Sequence, residues 1–270
     1  MKATAMNIGC IGAGNMGSAI LGRLSKSRGP EGIRVNDIDA RKAASLADGF
    51  GIAAAGSPES LVRDSDIVII AVKPDAVAAL LSAIRGSLTP EKIVVSIAAG
   101  IRLSVIEQAI GASMKIVRVM PNTPSLVGEG MSVLAPNGAV DEKSLKAVTD
   151  IFSEIGRVRV LPEKLMDAVT GLSGSGPAYV FTFIQAMADA GVKLGIPRDT
   201  AVILAAQTVM GSAKYVLETG EDPMALRGRV ASPGGTTIEG IHVLERSGFS
   251  GIVMDAVESA ALKSQRLGEK

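Results

Sequence analysis

The chain has no tryptophan, two tyrosines, one histidine and one cysteine. A lone cysteine, Cys10, excludes an internal disulfide and fits a reducing compartment. With so few soft ligands no metal site is expected. Charge of one sign is missing too: 28 basic residues stand against 27 acidic ones, without a basic block. The electrostatic footprint of a nucleic-acid binder is therefore absent. No charged segment leading into a long apolar core precedes the first strand, which begins near Met6, so no signal peptide is expected. The longest apolar stretch, Ala178 to Val192, contains Gln185 and Asp189 and reads as a buried helix rather than a membrane span. The expectation is a soluble, cytoplasmic protein with no membrane and no nucleic-acid partner.

What is present is small and aliphatic. Hydrophobic residues make up 47% of 270 positions, and 31 are glycine. That composition suits close helix–strand packing in an α/β protein. Short β-branched runs (Asn7–Ile11, Ile33–Asn36, Ile67–Ala71, Ile93–Ile97, Lys115–Met120, Met131–Ala135, Arg157–Leu161) alternate with amphipathic stretches. Alternation of this kind builds βαβ units and a doubly wound, mostly parallel sheet. After Pro162 the strand pattern stops and helical segments follow. The expected organisation is a Rossmann-type dinucleotide-binding domain over 1–162 and an all-helical substrate-binding and dimerisation domain over 163–270. Helices such as Ala178–Met187 and Ala201–Met210 are apolar on more than one face. A domain of about a hundred residues has too little interior to hide them, so a second copy is expected to cover part of this surface.

Ile8 to Gly17 reads as a strand running into G-x-G-x-x-G and a helix. Gly12 permits the tight turn, Gly14 lets backbone approach a pyrophosphate, and Gly17 allows helix–strand contact, with Ala13, Asn15 and Met16 completing the loop. The second strand ends Asn36-Asp37, about 20 residues on, where the ribose-reading residue belongs. Asp37 there would accept hydrogen bonds from a 2′-hydroxyl, whereas Asn36 with Arg41 or Lys42 can accommodate a 2′-phosphate. NADH and NADPH both stay open. Ala71-Val72-Lys73-Pro74, Ala98-Ala99-Gly100 and the loop carrying Asn122 follow strand ends, the crevice where open α/β sheets hold ligands. Lys73 is placed to contact cofactor or to stay solvated. Asn122 can bond a carboxamide such as that of nicotinamide.

Near the other end, Ser232-Pro233-Gly234-Gly235-Thr236-Thr237 precedes an apolar helix. Thr236 followed by Glu239 is expected to form a capping box. The first helical amides lack intrahelical partners and carry the positive end of the helix dipole. Two side-chain-free residues let a carboxylate reach them.

Taken in order, I-G-A-G-N-M-G, A-V-K-P, S-I-A-A-G, M-P-N-T-P, the run Asp167 to Tyr179 and S-P-G-G-T-T closely resemble pyrroline-5-carboxylate reductase, over nearly the whole chain. The last two motifs are specific to that family; the first is shared by many dehydrogenases. The resemblance implies reduction of 1-pyrroline-5-carboxylate to L-proline with NADPH or NADH. It also implies intertwined homodimers, often assembled further into decamers as a pentamer of dimers. By the same resemblance, the amides around Gly234, Gly235 and Thr236 bind the substrate carboxylate, and Thr237 Oγ bonds the ring nitrogen as the catalytic contact. Ser232, Glu163 and Ser175 extend the substrate site. The loop Ser173–Tyr179 walls it, donated by the partner subunit. Such chemistry requires no strong buried acid, which suits a chain with one histidine.

The remaining polar residues read more simply. His242 and Cys10 are structural, Tyr179 packs, Asp189 and Lys193 form a surface pair, and Arg229 either supplies charge to a ligand or stays solvated. The rival reading, a β-hydroxyacid dehydrogenase, relies on a helix-borne lysine. Lys193 is the one candidate, and it lacks the asparagine expected a turn later. A non-catalytic dinucleotide sensor would have no use for a carboxylate pocket.

Overall fold

A computed structural model describes residues 6–268. The first unit comprises the described residues up to Ser175 together with those from Ser259 onward; the second is Gly176–Glu258. The sequence places the boundary earlier, after 162. The stretch after Pro162 packs on the sheet, where Met166 and Val169 are buried with Met120, Val133 and Ala135.

The first unit holds eight strands: β1 (Ile8–Ile11), β2 (Ile33–Asn36), β3 (Ala53–Ala54), β4 (Ile67–Ile70), β5 (Ile93–Ser96), β6 (Lys115–Met120), β7 (Gly130–Pro136) and β8 (Gly156–Val160). Their spatial order is β3-β2-β1-β4-β5-β6-β7-β8. Every neighbouring pair is parallel except β6 with β7. β4 and β5 are buried at all positions, and their near-continuous Ile/Val runs are what a sheet covered on both faces requires. The outer strand β8 alternates Arg157 and Arg159 with valines, and charge on an edge strand discourages pairing with another chain.

Six helices cover the two faces: α1 (Asn15–Arg28), α2 (Ala40–Phe50), α3 (Pro58–Arg63), α4 (Pro74–Ile84), α5 (Leu103–Ile110) and α6 (Glu142–Ser153). Ile20, Leu21 and Leu24 of α1 share one core with Ala43 and Ala47 of α2 and Val148, Ile151 and Phe152 of α6. Leu61 and Val62 of α3, Val77, Leu81 and Ile84 of α4 and Ile106 of α5 form the core on the opposite face. The chain changes faces between β1 and β4, so the carboxyl ends of these strands open a crevice. After β8 come α7 (Met166–Val169) and a π-helical turn, Thr170–Gly174.

The helical unit contains α8 (Gly176–Lys193), α9 (Arg198–Thr219), α10 (Pro223–Val230), α11 (Thr236–Arg246) and most of α12 (Phe249–Leu267). Its buried hydrophobic residues are few and small, Ala188, Ala201, Ala205 and Leu226. Phe181, Ile203, Leu204, Met210, Leu217, Ile252 and Met254 are exposed, each more than half so. The last turns of α12 belong to the first unit, where Ser264 Oγ donates to Asp167 Oδ1 at 2.6 Å.

Candidate functional site

A cavity of about 1040 Å³ opens at the crevice between β1 and β4. Of the residues expected to hold a dinucleotide, it is lined by Gly12, Gly14, Asn36, Asp37, Ala71, Val72 and Lys73. The three loop glycines differ in why they must be glycine. Gly12 has φ 115°, and an added Cβ would lie 2.4 Å from the Ala71 carbonyl oxygen. At Gly17 it would lie 2.1 Å from the Gly12 oxygen. Among the described residues nothing comes within 4 Å of a Cβ on Gly14, which lies in extended geometry at the N-cap of α1. The fold therefore dictates Gly12 and Gly17, while the space above Gly14 faces the cavity and suits a phosphate resting on a helix N-terminus. The residues present fit a dinucleotide.

Asp37 sits at the centre of this arrangement. Its Oδ2 accepts from the Ala13 amide at 2.7 Å and its Oδ1 from the Asp39 amide at 2.9 Å. Asp39 in turn caps α2, accepting from the Arg41 amide. Asn36 is buried, and its Nδ2 donates to the Ala55 carbonyl at 2.9 Å, fixing the next loop. That loop, Ala54–Pro58, together with Ile38, Ala76, Ala79 and Leu80, completes the cavity. Sequence reading missed these wall residues because a two-residue strand and an alanine run carry no motif. The available signal was Ser57-Pro58-x-Ser60, which does form a capping box at α3.

Cys10 lies directly beneath, fully buried, and burial followed by the Asp37 charge pushes its thiol up to about 12. It is an inert core residue, as read from the sequence. Ala98, Ala99 and Gly100 follow β5 but do not line the cavity. Gly100 has φ 77° and faces Leu267 and Gly268 of the returning C-terminal segment. Asn122 is engaged within the chain at both ends of its amide. Its Nδ2 donates to the Ser173 carbonyl at 3.0 Å and its Oδ1 accepts from the Met131 amide at 2.8 Å. It braces β7 against the π-helical turn, and each end of the amide keeps one further hydrogen-bonding site.

In the helical unit, Ser232–Gly235 forms a tight turn. The Gly235 amide donates to the Ser232 carbonyl at 3.1 Å, with Pro233 at the second position and Gly234, φ 67°, at the third. That is the type II pattern Pro-Gly prescribes. A Cβ on Gly235 would collide with Ser232 Oγ at 2.3 Å. α11 begins at Thr236 with Gly235 as N-cap and no side-chain cap. The expected capping box between Thr236 and Glu239 is not formed, because Thr236 is already the first helical residue. A glycine cap leaves the first-turn amides to an external acceptor. The Gly235 amide is already used by the turn, so the nest comprises Thr236, Thr237 and the exposed Gly234.

Two family profiles match the chain: residues 7–100 match "NADP oxidoreductase coenzyme F420-dependent" and residues 163–267 match "Pyrroline-5-carboxylate reductase dimerisation". The pyrroline-5-carboxylate reductase of Escherichia coli K12 is 48% identical over 264 residues, 97% of this chain and 98% of that protein. The chain belongs to the pyrroline-5-carboxylate reductase family. Solved members agree in fold. The Coxiella burnetii enzyme superposes with a TM-score of 0.93 at 33% identity, covering 98% of this chain and 99% of that one. The Plasmodium falciparum pyrroline carboxylate reductase, solved with NADP bound, gives 0.87 at 36%, covering 97% and 98%.

Several polar residues singled out in the sequence make contacts within the chain. Glu163 Oε1 accepts from the Leu103 amide at 2.6 Å and from Arg118 Nη1 at 3.1 Å. It caps α5 and neutralises a buried guanidinium, a positioning role carried by Oε1 alone. Ser175 ends the π-helical turn, its amide donating to the Thr170 carbonyl at 2.8 Å. The expected loop over Ser173–Tyr179 is helical almost throughout, and Tyr179 bonds as well as packs, donating to the Ala256 carbonyl at 3.4 Å. Asp189 pairs with Arg198 and accepts from Gln185, not Lys193, because Arg198 at the start of α9 faces it across the helical hairpin. Arg229 is held two-pronged by Glu221, which with Tyr215 raises its proton affinity. His242 is exposed on α11. Among the described residues no cluster of His, Cys, Asp and Glu has metal-binding geometry.

Proposed function

We propose that this chain is a pyrroline-5-carboxylate reductase, using NADH or NADPH to reduce the cyclic imine 1-pyrroline-5-carboxylate to L-proline. The observation that carries it is 48% identity, end to end, with a reductase of that name. The geometry supports it with a dinucleotide cavity in the first unit and a carboxylate-sized amide nest in the second.

The cofactor, when bound, supplies a hydride to the imine carbon. Gly12–Gly17 would hold its pyrophosphate on the N-terminus of α1. Lys73, exposed at the N-cap of α4, faces the same cavity. The amides of Gly234, Thr236 and Thr237 would hold the substrate carboxylate, aided by the dipole of α11. Thr237 Oγ would bond the ring nitrogen and fix its orientation. Ser232 shapes the turn beneath the nest. A cyclic imine takes its proton from water near neutral pH, so positioning rather than a buried acid does the catalytic work.

The helical unit supports a homodimer. Its apolar residues outnumber what its small core can cover, and the dimerisation profile spans this region. α9 is long and apolar enough to cross a membrane by length and composition, with 11% of its window buried. Gln207, Ser212 and Lys214 on that helix favour a protein partner over lipid. A pentamer of dimers and a cytoplasmic location complete the proposal. The test is oxidation of NADH or NADPH, followed at 340 nm, with 1-pyrroline-5-carboxylate against a panel of 3-hydroxyacids run in the oxidising direction. Turnover of the imine alone supports the reading; turnover of a hydroxyacid alone replaces it with the β-hydroxyacid dehydrogenase.

A further inference from the structure

The family resemblance leaves the two nicotinamide dinucleotides undistinguished, and the profile over residues 7–100 is described by NADP. The corner of the cavity after β2 favours the other. We propose that Asp37 makes this chain selective for NADH, accepting both hydroxyls of the adenosine ribose and excluding a 2′-phosphate. The inference rests on reading the cavity as a dinucleotide site.

The cavity runs from Gly12 and Gly14 past Asp37 to Ile38 and the Ala54–Pro58 loop. With the pyrophosphate on the glycine loop, the ribose falls beside Asp37. The adenine then meets Ile38, an aliphatic side chain left fully exposed at the rim. Asp37 is not a mobile surface acid. The Ala13 amide at 2.7 Å and the Asp39 amide at 2.9 Å grip one oxygen each. A carboxylate offers about four lone-pair sites, so two remain, one per ribose hydroxyl. The first grip also couples the acid to the loop that carries the pyrophosphate, so ribose and phosphate are read by one rigid unit.

A 2′-phosphate brings no hydrogen to share and close to two negative charges. Asp37 cannot swing away from it without releasing both amides. Nor does the neighbourhood offset the repulsion. Arg41 leans on Asp39, its Nε 3.5 Å from Oδ1. Lys42, Lys73 and Asp75 line the cavity, so Asp37, Asp39 and Asp75 against Arg41, Lys42 and Lys73 leave no net positive charge here. Asn36 is buried and already gives one of its two amide hydrogens to the Ala55 carbonyl.

The test is binding rather than turnover: titration of the full-length protein with NADH and with NADPH, read by nicotinamide fluorescence in a chain that has no tryptophan. The expected result is at least tenfold tighter binding of NADH, with the ratio collapsing tenfold or more in Asp37→Ser, chiefly through gained NADPH affinity. Equal or tighter NADPH binding by the wild-type protein overturns the proposal. So does an NADH preference that Asp37→Ser leaves unchanged. If that variant does not fold, the wild-type comparison of ADP-ribose with its 2′-phosphorylated form decides, and a tenfold difference is required. Failure to bind either dinucleotide is a different outcome, since it removes the site reading underneath.

Discussion

Arg118 is a guanidinium 3% exposed in a central strand, and Glu163 is the carboxylate that faces it at 3.1 Å. Its Nε has no hydrogen-bond partner among the described residues. Removing one member of such a pair strands a buried charge, which costs roughly 3–5 kcal/mol in a dry interior. The Glu163 side chain keeps 29% of its surface in solvent, so a value discounted below that range, about 2–3 kcal/mol, is expected for Glu163→Gln. Glutamine retains an oxygen for the Leu103 amide. Glu163→Ala also orphans that amide and adds about 1 kcal/mol. Replacing both partners, Arg118→Met with Glu163→Gln, removes the stranded charge and should recover more than half of the single-variant loss. Urea unfolding at fixed protein concentration measures all four proteins of the cycle. A Glu163→Gln loss below about 0.5 kcal/mol would refute the positioning role. Strictly additive singles would refute it too.

The glycine loop separates fold from ligand. Gly17→Ala should destabilise by several kcal/mol through its clash with the Gly12 carbonyl, whereas Gly14→Ala should leave the melting temperature within a degree or two and weaken dinucleotide binding at least tenfold. Calorimetry beside a binding titration reads both, and a Gly14→Ala protein with normal affinity defeats the pyrophosphate assignment. Thr237→Ala should lower kcat/KM for the imine about ten- to hundredfold, the worth of one hydrogen bond to a charged group, with cofactor affinity unchanged. A large loss of cofactor binding would show Thr237 misassigned. At acid pH, Lys115 and the Ser144 amide hold the Asp141 carboxyl well below its ordinary value. A depressed folded value gives stability that is present above the unfolded value of about 3.9 and lost as pH falls toward the folded one. Lys115→Met should therefore differ in stability from wild type at pH 7, the difference narrowing as pH falls below about 4 toward the depressed folded value. A difference independent of pH contradicts this.

The sheet was legible because β4 and β5 are uninterrupted Ile/Val runs and because Gly12 and Gly17 meet backbone that only glycine tolerates. The turn at Pro233-Gly234 was equally legible, since residue type alone prescribes it. What sequence could not supply was the partner of each polar side chain. Asn122, Glu163 and Arg229 looked available and Asp189 looked paired with Lys193, yet each is engaged by a group 8 to 60 residues away in the chain. The capping box at Thr236 failed for a related reason. One residue of helix phase decides whether a threonine caps or merely begins the helix, and pattern reading is uncertain by more than that. The Ala54–Pro58 wall was invisible because cavity shape is set by the crossing of strands, not by local composition.

The central claim is the reaction. Incubating the protein with 1-pyrroline-5-carboxylate and NADH, then quantifying L-proline by mass spectrometry against dinucleotide consumed, tests it most directly. The account predicts one proline formed per dinucleotide oxidised. Dinucleotide consumption without proline, or no consumption with either NADH or NADPH by a folded, dinucleotide-binding protein, would contradict it.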